Sequence, residues 1–189
     1  MQSFQKMPGT QRLVTVEEFE RMPSSDRYEL VEGRLVPMSP VNVEHGRIVL
    51  QLGHLLKLHL KNRPEGVAVV EAGFTLARDP DTVRGPDVAF IRSDRMPPPP
   101  SRRRGFPAMA PDAVFEVLSP EDRPGAIRKK IAEYLRSGVG LVVLVDPDDK
   151  TVVIHRSGAQ PVTLRDGRDM VDMGDAIPGF SCRVSEIFE

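Results

Sequence analysis

The chain contains 189 residues, of which 40% are hydrophobic and 28% charged, and its formal net charge is -1. This composition supports one compact domain with a sizeable core, and the near-neutral charge argues against binding nucleic acid or an anionic membrane through overall charge alone. One cysteine and four histidines exclude an internal disulfide and zinc-finger spacing, and the sequence shows neither a signal peptide nor an apolar run long enough to span a bilayer. We therefore expect a single domain over residues 1–189, located in the cytoplasm and without a membrane partner.

The N-terminal region predicts a tail followed by a short helix. Residues 1–10 are polar and turn-prone, and we expect them to form a flexible tail. Thr15 and Glu18 have the spacing of a capping box, in which each side chain accepts a hydrogen bond from the backbone amide of the other residue. The helix that they begin is expected to end near Met22.

A β-hairpin is predicted next. Residues 28–31 and 34–38 are two strand-like runs joined by a Glu-Gly pair, as in hairpins with a short turn. Glu29 and Glu32 are the acidic residues of this hairpin. On the sequence pattern alone, both are typical of solvated strand or turn positions.

Residues 42–62 have the periodicity of a long amphipathic helix. His45 lies on the apolar stripe, where a histidine is either a satisfied core residue or, in a first turn, a group that reaches an active site. His54 points to the opposite side, and His59 lies about 21 Å further along the axis than His45, at about 1.5 Å per residue. The three histidines therefore cannot form one cluster. The apolar stripe consists of Ile48, Val49, Leu52, Leu55 and Leu56.

The following segment predicts a second hairpin and then a core strand. Residues 66–71 and 74–76 are the two strands of this hairpin, and residues 79–81 form a loop after it. Residues 85–91 are a β-branched and aromatic run that begins with a Gly-Pro turn and has Asp87 near its start. A carboxylate among such apolar neighbours requires a partner.

A proline- and arginine-rich segment covers residues 93–110. Four consecutive prolines precede Arg102, Arg103 and Arg104, which predicts a stiff, polyproline-like excursion. The arginines belong either to a solvated loop or to a clamp for phosphate groups, because guanidinium pairs bidentately with phosphate.

Residues 111–120 predict a buried strand with one carboxylate, Glu116, where a hydrophobic residue would be expected. An ionised side chain in a core strand costs several kcal/mol unless a cation or hydrogen-bond donors compensate it. Asp87 is a second acid of the same kind on another core strand. Two such acids on neighbouring strands suggest a divalent metal.

A βαβ unit follows, formed by this strand, a helix at residues 125–137 and a wholly apolar strand at residues 141–145. On the helix, Lys129 points away from the buried stripe, whereas Lys130 and Arg128 lie on its two flanks. Lys130 can lean towards the sheet, and geometry alone does not exclude Arg128.

The last part of the chain predicts a peripheral hairpin from residues 151–155 and 161–164, with His155 as a surface residue. The predicted fold class is therefore α/β, with a mixed β-sheet flanked by helices and with peripheral hairpins.

Seven short segments, in order along most of the chain, carry a resemblance to a known family. They are Tyr-Glu-Leu-Val-Glu-Gly at 28–33, Glu-His at 44–45, Gly-Pro-Asp-Val at 85–88, Phe-Glu-Val-Leu-Ser-Pro at 115–120, Lys-Ile-Ala-Glu-Tyr at 130–134, Val-Asp-Pro at 145–147 and Pro-Gly-Phe at 178–180. Together they resemble the PD-(D/E)XK nuclease superfamily, and in particular the Uma-type putative restriction endonuclease family. The resemblance implies a restriction-endonuclease-like fold.

The resemblance also implies site residues. The metal-binding acids of the family correspond to Asp87 and Glu116, with the backbone carbonyl of Val117 as a further ligand. The acid of its first hairpin corresponds to Glu29, and its histidine corresponds to His45.

The lysine of the superfamily usually lies two residues after the second acid, where this chain has Leu118. Residues two apart on a strand face the same side, so the usual spacing places lysine beside the metal-binding acids. In the Uma-type group the lysine comes from the following helix, four residues before a tyrosine, which corresponds to Lys130 and Tyr134. The chain departs from the usual residues of the group at Gly85, residues 121–124 and residues 140–141.

By this resemblance we expect an endonuclease that depends on Mg²⁺ or Mn²⁺, hydrolyses phosphodiester bonds and has DNA as its partner. Arg102, Arg103 and Arg104 would contribute to nucleic-acid affinity, and a homodimer stays open. Two alternatives also stay open: a catalytically weak or inactive binding module with a nuclease fold, and a small-molecule phosphodiesterase.

Overall fold

The computed structural model describes residues 12–38, 40–98 and 105–189. The expected tail at residues 1–10 and the three arginines Arg102, Arg103 and Arg104 lie outside these described residues. No helix within the described ranges is both long and apolar enough to cross a membrane.

The helices are α1 (Val16–Glu20), α2 (Val43–Leu60), α3 (Pro124–Arg136) and α4 (Val184–Ile187). The strands are β1 (Tyr28–Val31), β2 (Arg34–Pro37), β3 (Gly66–Val70), β4 (Phe74–Ala77), β5 (Thr82–Arg84), β6 (Val88–Arg92), β7 (Ala113–Val117), β8 (Leu141–Asp146), β9 (Thr151–Arg156), β10 (Val162–Leu164), β11 (Met170–Asp172) and β12 (Ser181–Arg183).

A six-stranded mixed sheet, with the order β10-β9-β8-β7-β6-β3, forms the centre of the fold. Strands β7 and β8 are parallel, and the other neighbouring pairs are antiparallel. Helix α3 connects β7 to β8, so the predicted βαβ unit is confirmed. The predicted C-terminal hairpin is also confirmed, as β9 and β10, and it extends this sheet.

The two faces of the central sheet pack against different helices, because alternate residues of a strand point to opposite sides. On one face, Phe115 of β7 belongs to a core that includes Leu52 of α2. On the other face, Val114 belongs to a core that includes Tyr134 of α3. Glu116 has the same parity as Val114, so its side chain is directed to the face that α3 covers.

A smaller antiparallel sheet, with the order β2-β1-β5-β4, lies beside the N-terminal helix α1. The predicted first hairpin is confirmed as β1 and β2, and the capping box of Thr15 and Glu18 begins α1 as predicted. Strand β5 leads through residues 85–87 into β6, so the chain passes directly from the small sheet into the central sheet. Strands β11 and β12 form a separate two-stranded ribbon.

The predicted second hairpin is wrong. Strand β3 pairs with β6 at the edge of the central sheet, whereas β4 pairs with β5 in the small sheet. Residues 106–108 pair with β4, since the Thr75 amide donates to the Pro107 carbonyl at 2.9 Å and Thr75 forms a bridge with Ala108. Residues 106–108, which are distant in the chain, therefore pair with β4 where β3 would pair in a hairpin. The local spacing of residues in the sequence does not indicate such a contact.

Candidate active site

Glu116 is a buried carboxylate on β7, and two residues of α3 contact its two oxygens. Lys130 Nζ lies 2.7 Å from Oε2, and the Tyr134 hydroxyl donates a 2.6 Å hydrogen bond to Oε1. The two residues are four positions apart on the helix, so they lie on one side of it. Helix α3 therefore brings an ammonium group to Glu116, although position 118 on the chain is leucine.

The neighbouring cations of α3 point elsewhere. The side chain of Lys129 is half-exposed, as predicted for a residue opposite the buried stripe, and its ammonium lies 3.0 Å from Glu32 Oε2. Arg128 is exposed. Of these three described cations, Lys130 is the one that reaches Glu116.

Asp87 lies directly before β6, and its Oδ2 accepts a 2.6 Å hydrogen bond from the backbone amide of Val117. His45, in the first turn of α2, is 4% exposed, and its Nε2 lies 3.3 Å from the same Asp87 oxygen. The Nδ1 atom of His45 is buried and has no hydrogen-bond partner among the described residues. The structure therefore brings His45 to a carboxylate, although the residue also lies on the apolar stripe of α2.

Glu29 on β1 is 8% exposed, so the interpretation of its sequence pattern as a solvated position is wrong. Arg84 Nη1 donates a 2.6 Å hydrogen bond to its Oε2, and the Gly85 amide donates one of 3.2 Å to its Oε1. Lys130 Nζ lies 3.5 Å from Oε1. Glu32, by contrast, is exposed as predicted.

Two further charged residues of this region, Arg84 and Glu133, were not identified from the sequence. Arg84 is 6% exposed and Glu133 is 9% exposed, and Arg84 Nε donates a 2.9 Å hydrogen bond to Glu133 Oε2. A partial signal existed, because Arg84 ends a β-branched run and Glu133 precedes Tyr134. We call Glu29, Arg84 and Glu133 the arginine cluster, and His45, Asp87, Glu116 and Lys130 the acid cluster.

The pKa values of Glu116 and Glu29 shift in opposite directions. Burial raises the pKa of Glu116 to about 7, because Lys130 opposes burial only in part, and Asp87 and Glu29 add negative charge nearby. Burial also raises the pKa of Glu29, but Lys130 and Arg84 outweigh it and hold that pKa below its usual value. Ionised Glu29 is thus well compensated, whereas ionised Glu116 is not.

The pKa values of Lys130 and His45 are raised, although burial alone would lower them. Burial lowers the pKa of Lys130, but the carboxylates of Glu116 and Glu29 outweigh burial and raise it. Burial likewise lowers the pKa of His45, and its contact with Asp87 outweighs burial and raises it. The clusters contain four carboxylates (Glu29, Asp87, Glu116 and Glu133) and two fixed cations (Arg84 and Lys130). When all four carboxylates are ionised and His45 is neutral, two negative charges are in excess.

The donors of the acid cluster fit a divalent cation of the hard type. The residues that the structure describes contain no group of three or more histidine, cysteine, aspartate or glutamate side chains placed to hold a metal. The Asp87 and Glu116 carboxylates and the Val117 carbonyl are all oxygen donors, and Mg²⁺ usually takes one or two carboxylates and keeps several waters. The excess negative charge and the raised pKa of Glu116 are consistent with a site for such an ion.

Comparisons with known proteins support a nuclease relationship. Residues 16–185 match the Uma2 family, described as "Putative restriction endonuclease". The chain is similar to a crystal structure of a "putative nuclease belonging to DUF820" from Anabaena variabilis, with a TM-score of 0.81 and 22% identity over 93% of this chain and 97% of that one. A cryo-EM structure of a DrdV-DNA complex aligns with a TM-score of 0.39 and 15% identity over 61% of this chain and 10% of that one, which is too little to bear on function. No curated protein matches.

The similarity to the Anabaena variabilis structure confirms the expected fold, because it extends over nearly all of both chains. The family match spans every residue of the acid cluster and the arginine cluster. The chain therefore belongs to the Uma2 family of putative restriction endonucleases.

Proposed function

We propose that this protein is an endonuclease that uses Mg²⁺ or Mn²⁺ to hydrolyse phosphodiester bonds in DNA. The observation that carries the proposal is the 2.7 Å contact between Lys130 and Glu116, next to Asp87, in a chain of a nuclease family. Restriction-endonuclease-like enzymes usually combine two acids and a lysine at one end of a sheet. Here the lysine comes from a helix, and the same three groups converge.

The metal would be held by the carboxylates of Asp87 and Glu116 and by the carbonyl of Val117. A divalent cation, when bound, supplies a Lewis acid that neutralises phosphate oxygens and lowers the pKa of water. Lys130 would donate hydrogen bonds to the attacking water or to the developing charge on the phosphate. Tyr134 would hold the Glu116 carboxylate in place through its hydrogen bond to Oε1.

Two further residues of the proposed site act on their neighbours. His45 contacts Asp87 at 3.3 Å and would position that carboxylate or a nearby water. Glu29 contacts Lys130 at 3.5 Å, and it would keep the ammonium charged and directed towards the substrate or hold a second metal.

Affinity for the DNA backbone is assigned to Arg102, Arg103 and Arg104, because arginine pairs bidentately with phosphate. The support is the sequence alone, since these residues lie outside the described part of the chain. The described end of the same loop contacts α1, where the Phe106 amide donates to Glu20 at 3.0 Å and the Phe106 ring stacks on Phe19.

A homodimer through α2 and β3 is part of the proposal. Strand β3 is an edge of the central sheet, and Leu50, Leu58 and Val70 on this face are 73%, 59% and 54% exposed. Exposed apolar residues beside an open strand edge are typical of an interface. Leu50→Lys should produce a monomer by light scattering, whereas Val162→Lys at the opposite edge should not change the mass. A wild-type monomer would contradict this part of the proposal.

The test of the function is cleavage of supercoiled plasmid DNA with Mg²⁺, with Mn²⁺ and with EDTA. We expect nicked and linear products with either metal, none with EDTA and strongly reduced cleavage with Lys130→Ala. RNA and small phosphodiesters, added as competitors, identify the substrate class. Metal-independent binding of DNA without cleavage would support the binding-module alternative, and strong inhibition by a small phosphodiester would support the small-molecule alternative.

A further inference from the structure

Arg84 is a buried arginine that contacts two carboxylates from different parts of the fold. Its side chain, at the end of β5, donates to Glu29 on β1 through Nη1 and to Glu133 on α3 through Nε and Nη2. All three residues are less than one-tenth exposed. A guanidinium presents its donors in a rigid planar fork, so two carboxylates bound to one fork have a fixed relative position.

Glu29 is held at both oxygens by consecutive residues of one segment. Oε2 accepts from Arg84 Nη1 at 2.6 Å, and Oε1 accepts from the Gly85 amide at 3.2 Å. The orientation that results places Oε1 3.5 Å from Lys130 Nζ. Glu29 therefore faces the acid cluster because Arg84 and Gly85 hold its carboxylate from the other side.

The partner on α3 fixes the guanidinium itself. Two of the three nitrogens of Arg84 donate to a single oxygen, Oε2 of Glu133. Oε1 of Glu133 has no hydrogen-bond partner among the described residues, and Lys129 Nζ lies 3.8 Å from it. Glu133 lies on the same helix as Lys130, and Asp87 follows Arg84 by three residues. The Arg84 side chain thus joins the small sheet to helix α3.

We propose that Arg84 is a positioning residue, which holds Glu29 against Lys130 and thereby fixes the ammonium of Lys130 for catalysis. The proposal rests on the proposed endonuclease function. Arg84 itself touches neither Asp87 nor Glu116 in the described contacts, so it acts through Glu29. A purely structural arginine would only tie the small sheet to α3, and the two roles are separable by experiment.

The experiment compares Arg84→Gln with the double variant Arg84→Gln/Glu133→Gln. Arg84→Gln removes the guanidinium that donates hydrogen bonds to two buried carboxylates, so its melting temperature should fall. The double variant removes one of these charges and should regain part of the lost melting temperature. Arg84→Lys keeps the charge without the fork and is included in case Arg84→Gln does not fold.

Two readouts decide the role. By NMR, the Gly85 amide should exchange at least about tenfold faster in Arg84→Gln, in the double variant and in Arg84→Lys, because its acceptor Glu29 is no longer held. In plasmid cleavage, kcat should fall about 100-fold in Arg84→Gln and in the double variant, with KM unchanged, as for a displaced catalytic group. Arg78→Gln, which removes the ion pairs of Arg78 with Glu17 on α1 and with Asp81 and no contact of either cluster, should change neither readout.

Unchanged protection of the Gly85 amide in these Arg84 variants would overturn the proposal, whatever the cleavage assay shows. Recovery of kcat together with melting temperature in the double variant would also overturn it, because a structural role predicts parallel recovery. Failure of the wild type to cleave DNA would reject the endonuclease function separately, and the amide exchange would still test whether Arg84 holds Glu29.

Discussion

The arginine cluster and the acid cluster lie side by side, but their buried charges are compensated to different extents. In the arginine cluster, the Arg84 guanidinium contacts both carboxylates, and Glu29 has a lowered pKa. In the acid cluster, Lys130 is the fixed cation beside Glu116, and burial raises the pKa of Glu116 to about 7. A buried charge with close partners fixes geometry, whereas a buried charge without full compensation is costly until another cation binds. The comparison supports the proposal that the first cluster positions residues and the second carries the chemistry.

Removal of the ammonium from the acid cluster should have the largest effect. Lys130→Ala is expected to lower kcat for plasmid cleavage about 100- to 1,000-fold, the usual cost of losing one donor to developing charge. Lys129→Ala is the matched control, because Lys129 is half-exposed and its ion pairs are with Glu32 at 3.0 Å and Glu133 at 3.8 Å rather than with Glu116. Equal losses of kcat in the two variants would remove Lys130 from the proposed mechanism.

The second-largest effect is expected on metal binding, when one acid of the acid cluster is removed. Asp87→Ala is expected to weaken Mn²⁺ binding by about 100-fold, since residues that only orient a metal ligand already contribute about 10- to 100-fold. Isothermal titration calorimetry measures this affinity directly, without any cleavage assay. Glu32→Ala, which removes an exposed acid from the small sheet, should bind Mn²⁺ like the wild type. The same affinity in Asp87→Ala would rule out the site.

The incomplete compensation of Glu116 predicts a pH-dependent stability in metal-free protein. Its pKa in the folded state, about 7, lies above the ordinary value of 4.5, so folding favours the protonated form. The stability from this group is full below about pH 4.5 and is lost as the pH rises through about 7, at roughly 1.4 kcal/mol per pKa unit. Glu116→Gln mimics the protonated form and should not lose this stability.

Thermal melts in EDTA at a series of pH values test this prediction. As the pH rises from about 4.5 to about 7, the melting temperature of the wild type should fall relative to Glu116→Gln. The expected fall is about 2–4 °C for each kcal/mol of stability that is lost. Added Mg²⁺ should restore the wild type and leave the variant unchanged, and the variant should lose DNA cleavage because the amide lacks the charge that a metal needs. A difference that stays constant with pH would show that the Glu116 pKa is not raised.

The smallest expected effect concerns residues outside both clusters. Replacement of Arg102, Arg103 and Arg104 by alanine should weaken DNA binding and lower the slope of log affinity against log salt by up to about 0.9 per lost phosphate contact. Fluorescence anisotropy at several salt concentrations measures the slope, with Arg168→Ala as the control on another exposed loop. An unaltered slope would mean that the arginines form only a solvated loop.

The sequence by itself determined the local elements and the two unusual acids. Capping spacing, the helical period and the strand period depend on residues close in the chain, and they correctly predicted α1, α2, the first and last hairpins and the βαβ unit. The apolar neighbours of Glu116 marked it as buried, which the structure confirms, whereas the Asp87 side chain, marked in the same way, is 20% exposed. The helical period also separated Lys130 from Lys129, because successive residues differ by about 100° around the axis.

Only the tertiary structure decided how the buried charges are paired. Arg84 meets Glu29 across 55 positions and Glu133 across 49, and no sequence period connects residues so far apart. The same limit explains the errors at Glu29 and at the second hairpin, since burial and strand pairing there depend on distant segments of the chain. The cost of burying a charged residue depends on the distance to its opposite charge, and that distance is fixed only when the sheets and α3 pack together.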